Sequence, residues 1–187
     1  MAEDSLNERV AAEAAANSAA ASAFRAVTRE YGPALQRLSR AYEADEGRRQ
    51  DLLQEILVAL WQGLPSYEGR ASLRTWVYRV AHNVAVSHVV KWQRDRLSRA
   101  AELDEDAWIR DATRAAEGRD AVTRLAALVR ALRPADAQVI LLYLEGLEHA
   151  EIAEVTGLSR ENVAVKIHRI RAALSRALEE GGVHGRT

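Results

Sequence analysis

The chain has 187 residues, which suits one large or two small domains, and 48% of them are apolar, enough for real cores. Cysteine is absent, which excludes disulfides and thiolate zinc sites and fits a reducing cytoplasm. The net charge of −1 argues against a uniformly basic nucleic-acid coat. We find no signal-peptide pattern and no run of about 20 apolar residues, so we expect a cytoplasmic protein without membrane insertion.

The first third of the chain predicts an amphipathic helix behind a variable lead. Residues 1–22 are Ala-rich and interrupted by charges, and we expect them to be disordered or frayed. From Phe24 to Tyr42, apolar residues recur at three- and four-residue steps, as on one face of a helix. Gly32-Pro33 should break or kink this helix, because proline lacks a donor and clashes with the preceding turn.

Two more helices are predicted before the middle of the chain, and they would complete a bundle. The first spans about 48–62 and turns these apolar residues inward: Leu52, Leu53, Ile56, Leu57 and Leu60. A turn-rich loop, 63–69, separates it from a helix over about 71–95. The acidic stretch 97–118 has weak periodicity and predicts a linker.

The C-terminal part predicts a helix over about 122–132 and a second that begins near Pro134 and ends near Gly146. Residues 147–171 then read as two helices around a tight turn. Gly157 can adopt the positive φ of that turn, and Ser159 can cap the second helix. The second helix has an apolar face and an opposite face rich in Lys and Arg, which is typical of a helix-turn-helix that enters the DNA major groove.

Enzyme chemistry has little support in the sequence. The five histidines show no metal-ligand spacing, and neither a phosphate-binding glycine loop nor a nucleophile elbow is found. His88 faces the apolar stripe of its helix, which favours a core residue over a ligand. We therefore expect no catalytic residue, metal or cofactor.

Two N-terminal motifs carry a family resemblance, and the C-terminal half adds a third match. Asp51-Leu-Leu-Gln-Glu-Ile-Leu-Val-Ala-Leu-Trp61 resembles the core-polymerase-binding helix of bacterial sigma factors. Ser72-Leu-Arg-Thr-Trp-Val-Tyr-Arg-Val-Ala-His-Asn83 resembles their promoter-melting helix. The helix-turn-helix, with Leu132-Arg-Pro134 ahead of it, resembles the domain that binds the −35 element. The layout, over roughly 24–178, is similar to the extracytoplasmic-function (ECF, group 4) sigma factors of the sigma-70 family.

The resemblance implies an all-α fold with two small helical domains joined by a linker. Residues 23–96 would form sigma region 2, and 119–178 would form sigma region 4 with the helix-turn-helix. The acidic linker would occupy 97–118, and 179–187 would be a frayed tail. Such a protein binds core RNA polymerase and directs promoter-specific initiation by reading −35 duplex and by melting and reading −10 DNA.

The resemblance also assigns candidate site residues, although a solvated polar face remains the alternative for each. Core polymerase would bind Asp51, Leu52, Gln54, Glu55 and Trp61. The −10 element would meet Arg74, Trp76, Tyr78, Arg79, His82 and Asn83. The −35 element would meet Ser159, Arg160, Asn162, Lys166, His168 and Arg169. Trp76 lies on the apolar stripe and is equally open to a core role, whereas the last four −10 residues should lie largely off that stripe.

Two features limit or extend this assignment. Ala164 and Val165 replace two residues that are commonly polar in the family, and either could touch a thymine methyl or neither could touch DNA. The first helix of the helix-turn-helix carries several glutamates and no Lys or Arg, so it cannot lie on phosphate. We expect it to face solvent or a protein.

The implied partners are core RNA polymerase, principally its β′ subunit, promoter DNA and an anti-sigma factor. One alternative is a conventional helix-turn-helix regulator with an N-terminal sensor or dimerisation domain, which would bind duplex without polymerase. A second alternative is a protein-binding helical module whose basic faces are incidental.

Overall fold

The computed structural model describes the backbone of residues 2–97 and 120–183 and, within them, the side chains of 18–91, 120 and 122–179. Every regular element in these ranges is helical, as the sequence predicts. The α-helices are α1 (Ala2–Tyr42), α2 (Glu46–Gly63), α3 (Leu73–Leu97), α4 (Ala121–Ala131), α5 (Pro134–Leu144), α6 (His149–Thr156) and α7 (Arg160–Val183). A short 3-10 helix, Leu64–Ser66, follows α2. Within the described ranges, no helix has the length and apolarity needed to cross a membrane.

Helix α1 differs from the sequence-based expectation in two ways. It begins at Ala2, so residues 2–22 are helical where a frayed lead was expected, in keeping with the high helix propensity of alanine. It also continues through Pro33 instead of breaking there. Proline removes one helical hydrogen bond, but the helix on both sides is held by burial of Val27, Leu35 and Leu38.

Helices α1–α3 form the N-terminal bundle. Asp45 caps α2 by accepting a hydrogen bond from the Arg48 amide at 2.9 Å. Leu52, Ile56 and Leu60, spaced four residues apart, are fully buried in the core that α1 and α3 complete. Each such side chain contributes about 2 kcal/mol of hydrophobic free energy. The inward face predicted for this helix is confirmed.

Helices α4–α7 form the C-terminal domain. Pro134 opens α5, and Gly157 takes φ 73° at the corner between α6 and α7, as the helix-turn-helix prediction requires. The apolar face of α7 is buried at Val163, Ile167 and Ile170. Helix α7 runs to Val183, so the part of the predicted tail that lies in the described range is helical.

The N-terminal bundle and the C-terminal domain pack directly against each other. Helix α1 contacts α4, and α3 contacts α5 and α6. One apolar cluster joins Leu35 and Ile56 of the bundle to Leu128 and Ile140 of the C-terminal domain. The predicted acidic linker, apart from Leu97 at the end of α3, lies outside the described residues.

Candidate nucleic-acid and polymerase interface

The outer face of α2 carries four of the five candidate polymerase-binding residues. Asp51, Gln54 and Glu55 are exposed, and Trp61 is 42% exposed. Trp61 meets Phe24 of α1 edge-on, with ring centroids 5.3 Å apart, so its indole is held in place while part of it faces solvent. Leu52 is the exception, because it is fully buried in the core and offers no surface to a partner.

Glu55 is also held by the fold. Its Oε2 lies 3.1 Å from Nδ1 of His88, which is buried on α3, while the carboxylate itself remains about half exposed. The expectation that His88 is a core residue is therefore confirmed. A protein partner would meet a Glu55 side chain whose position is already restrained.

Trp76 is half-buried and packs on the loop between α2 and α3. Its ring centroid lies 5.3 Å from that of Tyr67. A Cβ atom added at Gly63 would sit 3.1 Å from the Trp76 ring, so the glycine permits this close approach. The indole therefore has a packing role, and its stacking on unpaired bases stays a prediction.

His82 and Tyr78 lie inside the protein, whereas the sequence analysis placed them largely off the apolar stripe of α3. His82 is fully buried, and its Nδ1 lies 3.0 Å from the Tyr42 hydroxyl. Burial lowers the pKa of His82 from its usual 6.5 to about 3, so the ring is neutral near pH 7. In this structure His82 therefore cannot serve as a cation for phosphate.

Tyr78 is only 3% exposed, because it belongs to the apolar cluster of the helix-turn-helix. Its hydroxyl donates a hydrogen bond of 3.0 Å to Oε2 of Glu145, between α5 and α6. Burial, reinforced by that carboxylate, raises the pKa of Tyr78 to about 12. Asn83, by contrast, is exposed on α3.

The two arginines expected at −10 DNA are engaged by the C-terminal domain. Arg74 donates a hydrogen bond to the backbone carbonyl of Glu145. Arg79 forms an ion pair of 2.8 Å with Oε1 of Glu154 and donates a second hydrogen bond, of 3.2 Å, to the backbone carbonyl of the same residue. The acidic helix was expected to face solvent or another protein, but in the structure it packs against α3 of the same chain.

The outward face of α7 holds the candidate −35 residues. Ser159 caps the helix by accepting a hydrogen bond of 3.2 Å from the Asn162 amide. Arg160, Asn162 and His168 are exposed, and Val165 between them is 68% exposed. Asn162, Val165 and Arg169, spaced i, i+3 and i+7, place amide, apolar and cationic groups on one accessible helix face, the combination that reads base edges in the major groove.

Lys166 and Arg169 share a carboxylate that the sequence analysis did not identify. Asp136, in the first turn of α5, is 2% exposed and pairs with Lys166 through Oδ1 and with Arg169 at 3.0 Å through Oδ2. The side chains of Lys166 and Arg169 remain 29% and 57% exposed, respectively, so both can still reach toward phosphate. Among the described residues, no group of three His, Asp or Glu side chains converges as a metal site.

Arg37 is a further residue that the sequence analysis missed. It lies on α1 and donates two hydrogen bonds to the Glu145 carboxylate, at 2.9 and 2.7 Å. The sequence does show that α3 is basic and α6 is acidic, and this opposite charge could have indicated a contact between the domains. No local pattern points to Arg37, which is 108 residues away from Glu145 in the chain.

An all-helical pair of domains with a capped helix-turn-helix defines a DNA-binding transcription factor. The N-terminal bundle matches the model of sigma-70 region 2 over residues 27–95, and the C-terminal domain matches that of sigma-70 region 4 over residues 123–174. The chain belongs to the sigma-70 family of RNA polymerase sigma factors, and its two-region layout and relatives place it in the ECF group. It is therefore a transcription initiation factor and not an enzyme.

Individual relatives agree with this family. The ECF RNA polymerase sigma factor SigC of Mycobacterium tuberculosis is 29% identical over 136 residues, which cover 72% of each chain. The fold is similar to that of CnrH in complex with the cytosolic domain of CnrY, with a TM-score of 0.61, 25% identity and coverage of 87% of this chain and 94% of that one. It is also similar to that of RpoE from Bartonella quintana in complex with the anti-sigma factor NepR, with a TM-score of 0.64, 17% identity and coverage of 83% and 96%.

Proposed function

We propose that the chain brings core RNA polymerase to a specific set of promoters by using three separate surfaces. The exposed face of α2 binds the core enzyme, principally its β′ subunit. Helix α3 opens and reads the −10 element, and α7 reads the −35 element as duplex. The observation that carries the proposal is the exposure of Arg160, Asn162 and Val165 on α7, the helix that follows the Gly157 turn.

The polymerase surface of the proposal is the acidic and aromatic face of α2. Asp51, Gln54 and Glu55 supply charge and hydrogen-bonding groups, while Trp61 with Val58, 46% exposed, supplies an apolar patch. Aromatic side chains and charged rims are what protein interfaces use as anchors and for steering. Leu52 acts from the core and holds this face in register without touching the partner.

The −10 surface of the proposal is the α3 face around Arg74, Arg79 and Asn83. Cations hold phosphates of the separated strand, Asn83 reads a base edge, and Trp76 offers aromatic surface for unpaired bases, whereas Tyr78 is covered by the C-terminal domain. His82 supports this face from below through its hydrogen bond to Tyr42. The −35 surface adds Ser159, Lys166, His168 and Arg169 to the three residues named for α7.

A run-off transcription assay with purified core polymerase tests the proposal. Addition of the chain should give a new promoter-specific transcript, and the chain should co-purify with the core. The double variant Asp51→Lys/Glu55→Lys should lose both results, since it reverses two charges of the α2 face. The matched control Glu46→Lys/Glu68→Lys changes the same number of charges elsewhere in the bundle and should keep both. Absence of any transcript and of co-purification for the unaltered chain would refute the proposal.

We also propose an anti-sigma factor as a partner of the chain. The support is that RpoE of Bartonella quintana was solved with the anti-sigma factor NepR and CnrH with the cytosolic domain of CnrY. A protein that co-purifies with the chain from its own bacterium would be purified and added to the run-off assay. Loss of the promoter-specific transcript supports the partner, and unchanged transcription refutes it.

A further inference from the structure

Two cations of the −35 surface are anchored on one buried carboxylate. Asp136 lies in the first turn of α5 and is 2% exposed. Its Oδ1 pairs with Nζ of Lys166, and its Oδ2 lies 3.0 Å from Nη2 of Arg169. Each oxygen of a single acid therefore holds one cation of α7.

The packing of α5 against α7 fixes the position of this carboxylate. The Asp136 amide donates a hydrogen bond of 2.9 Å to the Arg133 carbonyl in the first turn of α5, where the helix dipole also favours negative charge. Ala137, the next residue of α5, is buried, and so are Ile167 and Ile170 of α7. The acid is thus held by the core of the domain and cannot follow a cation that moves away.

DNA can reach the two cations but not the acid beneath them. Lys166 and Arg169 are three residues apart, so they lie on the same side of α7. Their side chains are partly exposed, whereas that of Asp136 is 3% exposed. A phosphate on this side of α7 would meet two positive charges, one of which Asp136 balances.

We propose that Asp136 is a specificity-determining residue of the −35 surface and acts through Lys166 and Arg169. The inference rests on the proposed function, because it needs α7 to bind the −35 duplex. The carboxylate holds both cationic groups in place, so they reach phosphates only in the register in which Asn162 and Val165 meet base edges. It also balances one positive charge and so weakens the sequence-independent attraction to the DNA backbone.

Loss of the acid therefore has an unusual expected result. Lysine and arginine side chains without an anchor have many rotamers and can adapt to phosphates in several registers. The affinity for any duplex should rise, and the preference for one sequence should fall. A role of Asp136 in stability alone predicts a different result, because a poorly folded domain would lose the preferred duplex without binding other duplexes more tightly.

The experiment compares two DNA fragments bound by the same holoenzyme. Core polymerase loaded with the chain is titrated against a fluorescein-labelled fragment of a promoter that gives a run-off transcript. The second fragment is identical except that its −35 bases are scrambled. Binding is followed by fluorescence anisotropy at a series of salt concentrations. Because the fragments share every other contact, the ratio of the two affinities reports on the −35 surface alone.

Asp136→Asn should raise the affinity for the scrambled fragment about fivefold and steepen the slope of log affinity against log salt by about 1, because one more unbalanced cation meets phosphate. The ratio of preferred to scrambled affinity should fall about tenfold, as much as one mismatched base pair costs. The matched control Glu179→Gln removes the same charge from an exposed site farther along α7. It should change the ratio by less than about twofold.

A second comparison tests whether Asp136 acts through its two cations. In the background Lys166→Gln/Arg169→Gln, Asp136→Asn should no longer raise the affinity for the scrambled fragment, because the side chains that it releases are gone. A gain that persists in this background would overturn the inference.

A further variant keeps the test decisive if Asp136→Asn fails to fold, which thermal unfolding of each chain measures first. Asp136→Glu keeps the charge but moves the carboxylate, so it should retain the salt slope and still lower the ratio. A folded Asn variant without a gain for the scrambled fragment, or a folded Glu variant with an unchanged ratio, would overturn the inference. If the unaltered chain still gives its promoter-specific transcript, the proposed function stands and only the role of Asp136 is refuted.

Discussion

The two faces that we propose bind DNA keep their cations in carboxylate pairs, but they take the carboxylates from different places. On α7, Lys166 and Arg169 pair with Asp136 of their own domain, which is buried beneath them. On α3, Arg79 pairs with Glu154, which belongs to the other domain. The first arrangement is a permanent part of one domain, whereas the second ends when the domains separate. The ion pairs of α7 therefore depend on the packing within one domain, and the ion pair of α3 depends on the contact between the two domains.

The largest effect is expected from His82, the buried histidine of α3. Burial lowers the pKa of His82 to about 3. Between about pH 6.5 and pH 4 the His82 ring is therefore protonated in the unfolded chain and neutral in the folded chain. The free energy of unfolding should therefore fall by about 1.4 kcal/mol per pH unit as the pH drops below 6.5. Urea denaturation at a series of pH values measures this slope.

His82→Gln should flatten that slope, because it removes the group that takes up the proton on unfolding. Equal slopes for the unaltered chain and the His82 variant would contradict the burial of this histidine.

The next effect concerns the acid that belongs permanently to α7. Asp136→Ala should destabilise the chain by about 2 kcal/mol, because it leaves Lys166 and Arg169 beside a buried site without its charge. Glu154→Ala, which removes an exposed acid from the α3 contact, should cost about 0.5 kcal/mol. Thermal unfolding of both variants measures the difference, and a Glu154 variant as unstable as the Asp136 variant would erase the contrast between the faces.

A smaller effect is expected from one hydroxyl at the domain contact. Tyr78→Phe keeps the ring but loses the hydrogen bond to Glu145, worth about 1 kcal/mol, so the contact should loosen and single-strand affinity should rise about fivefold. Tyr67→Phe is the matched change, because its hydroxyl bonds the Ala71 carbonyl within the same bundle. It should leave the affinity unchanged. Both affinities are measured by fluorescence anisotropy with a labelled DNA single strand. Equal affinities of the two variants would argue against a role for Tyr78 in covering α3.

The smallest effect tests whether the open face of α7 uses its apolar residue. Val165 is 68% exposed on the outward side of the recognition helix, where contact with a thymine methyl would remove it from water. Val165→Ala should weaken binding to the preferred −35 duplex with core polymerase about fourfold, the equivalent of about 0.8 kcal/mol per buried methyl. Replacement of thymine by uracil in the duplex should give the same loss, and the two losses should not add. Additive losses would mean that Val165 does not meet the methyl.

The sequence predicts elements well where local periodicity is strong. The inward set on α2 follows from apolar residues at helical spacing, and the helix-turn-helix follows from Gly157 and the Ser159 cap. It fails where a residue type misleads. His82 and Tyr78 count as polar, yet α3 is packed on two sides and buries both. Pro33 counts as a helix breaker, yet tertiary packing keeps α1 continuous through it.

Pairings over long sequence distances were beyond the reach of the pattern. Asp136 and Glu145 show this most clearly. Asp136 looks like an ordinary first-turn carboxylate of α5, and only the approach of α7 buries it between two cations. Glu145 looks like one acid of a run, and its meeting with Arg37 depends on how two domains dock. The opposite charges of α3 and α6 can be read from the sequence, but not which side chains meet.

The order of residues along the chain gives the α3 contact a consequence for synthesis. Arg74 and Arg79 precede their partners Glu145 and Glu154 by 71 and 75 residues, respectively. A ribosome that adds about 5–20 residues per second therefore delivers the cations about 4–15 seconds before the acids that cover them. During that interval Arg74 and Arg79 of each nascent chain are without these partners, close to messenger RNA and, in a bacterium, to the gene being transcribed.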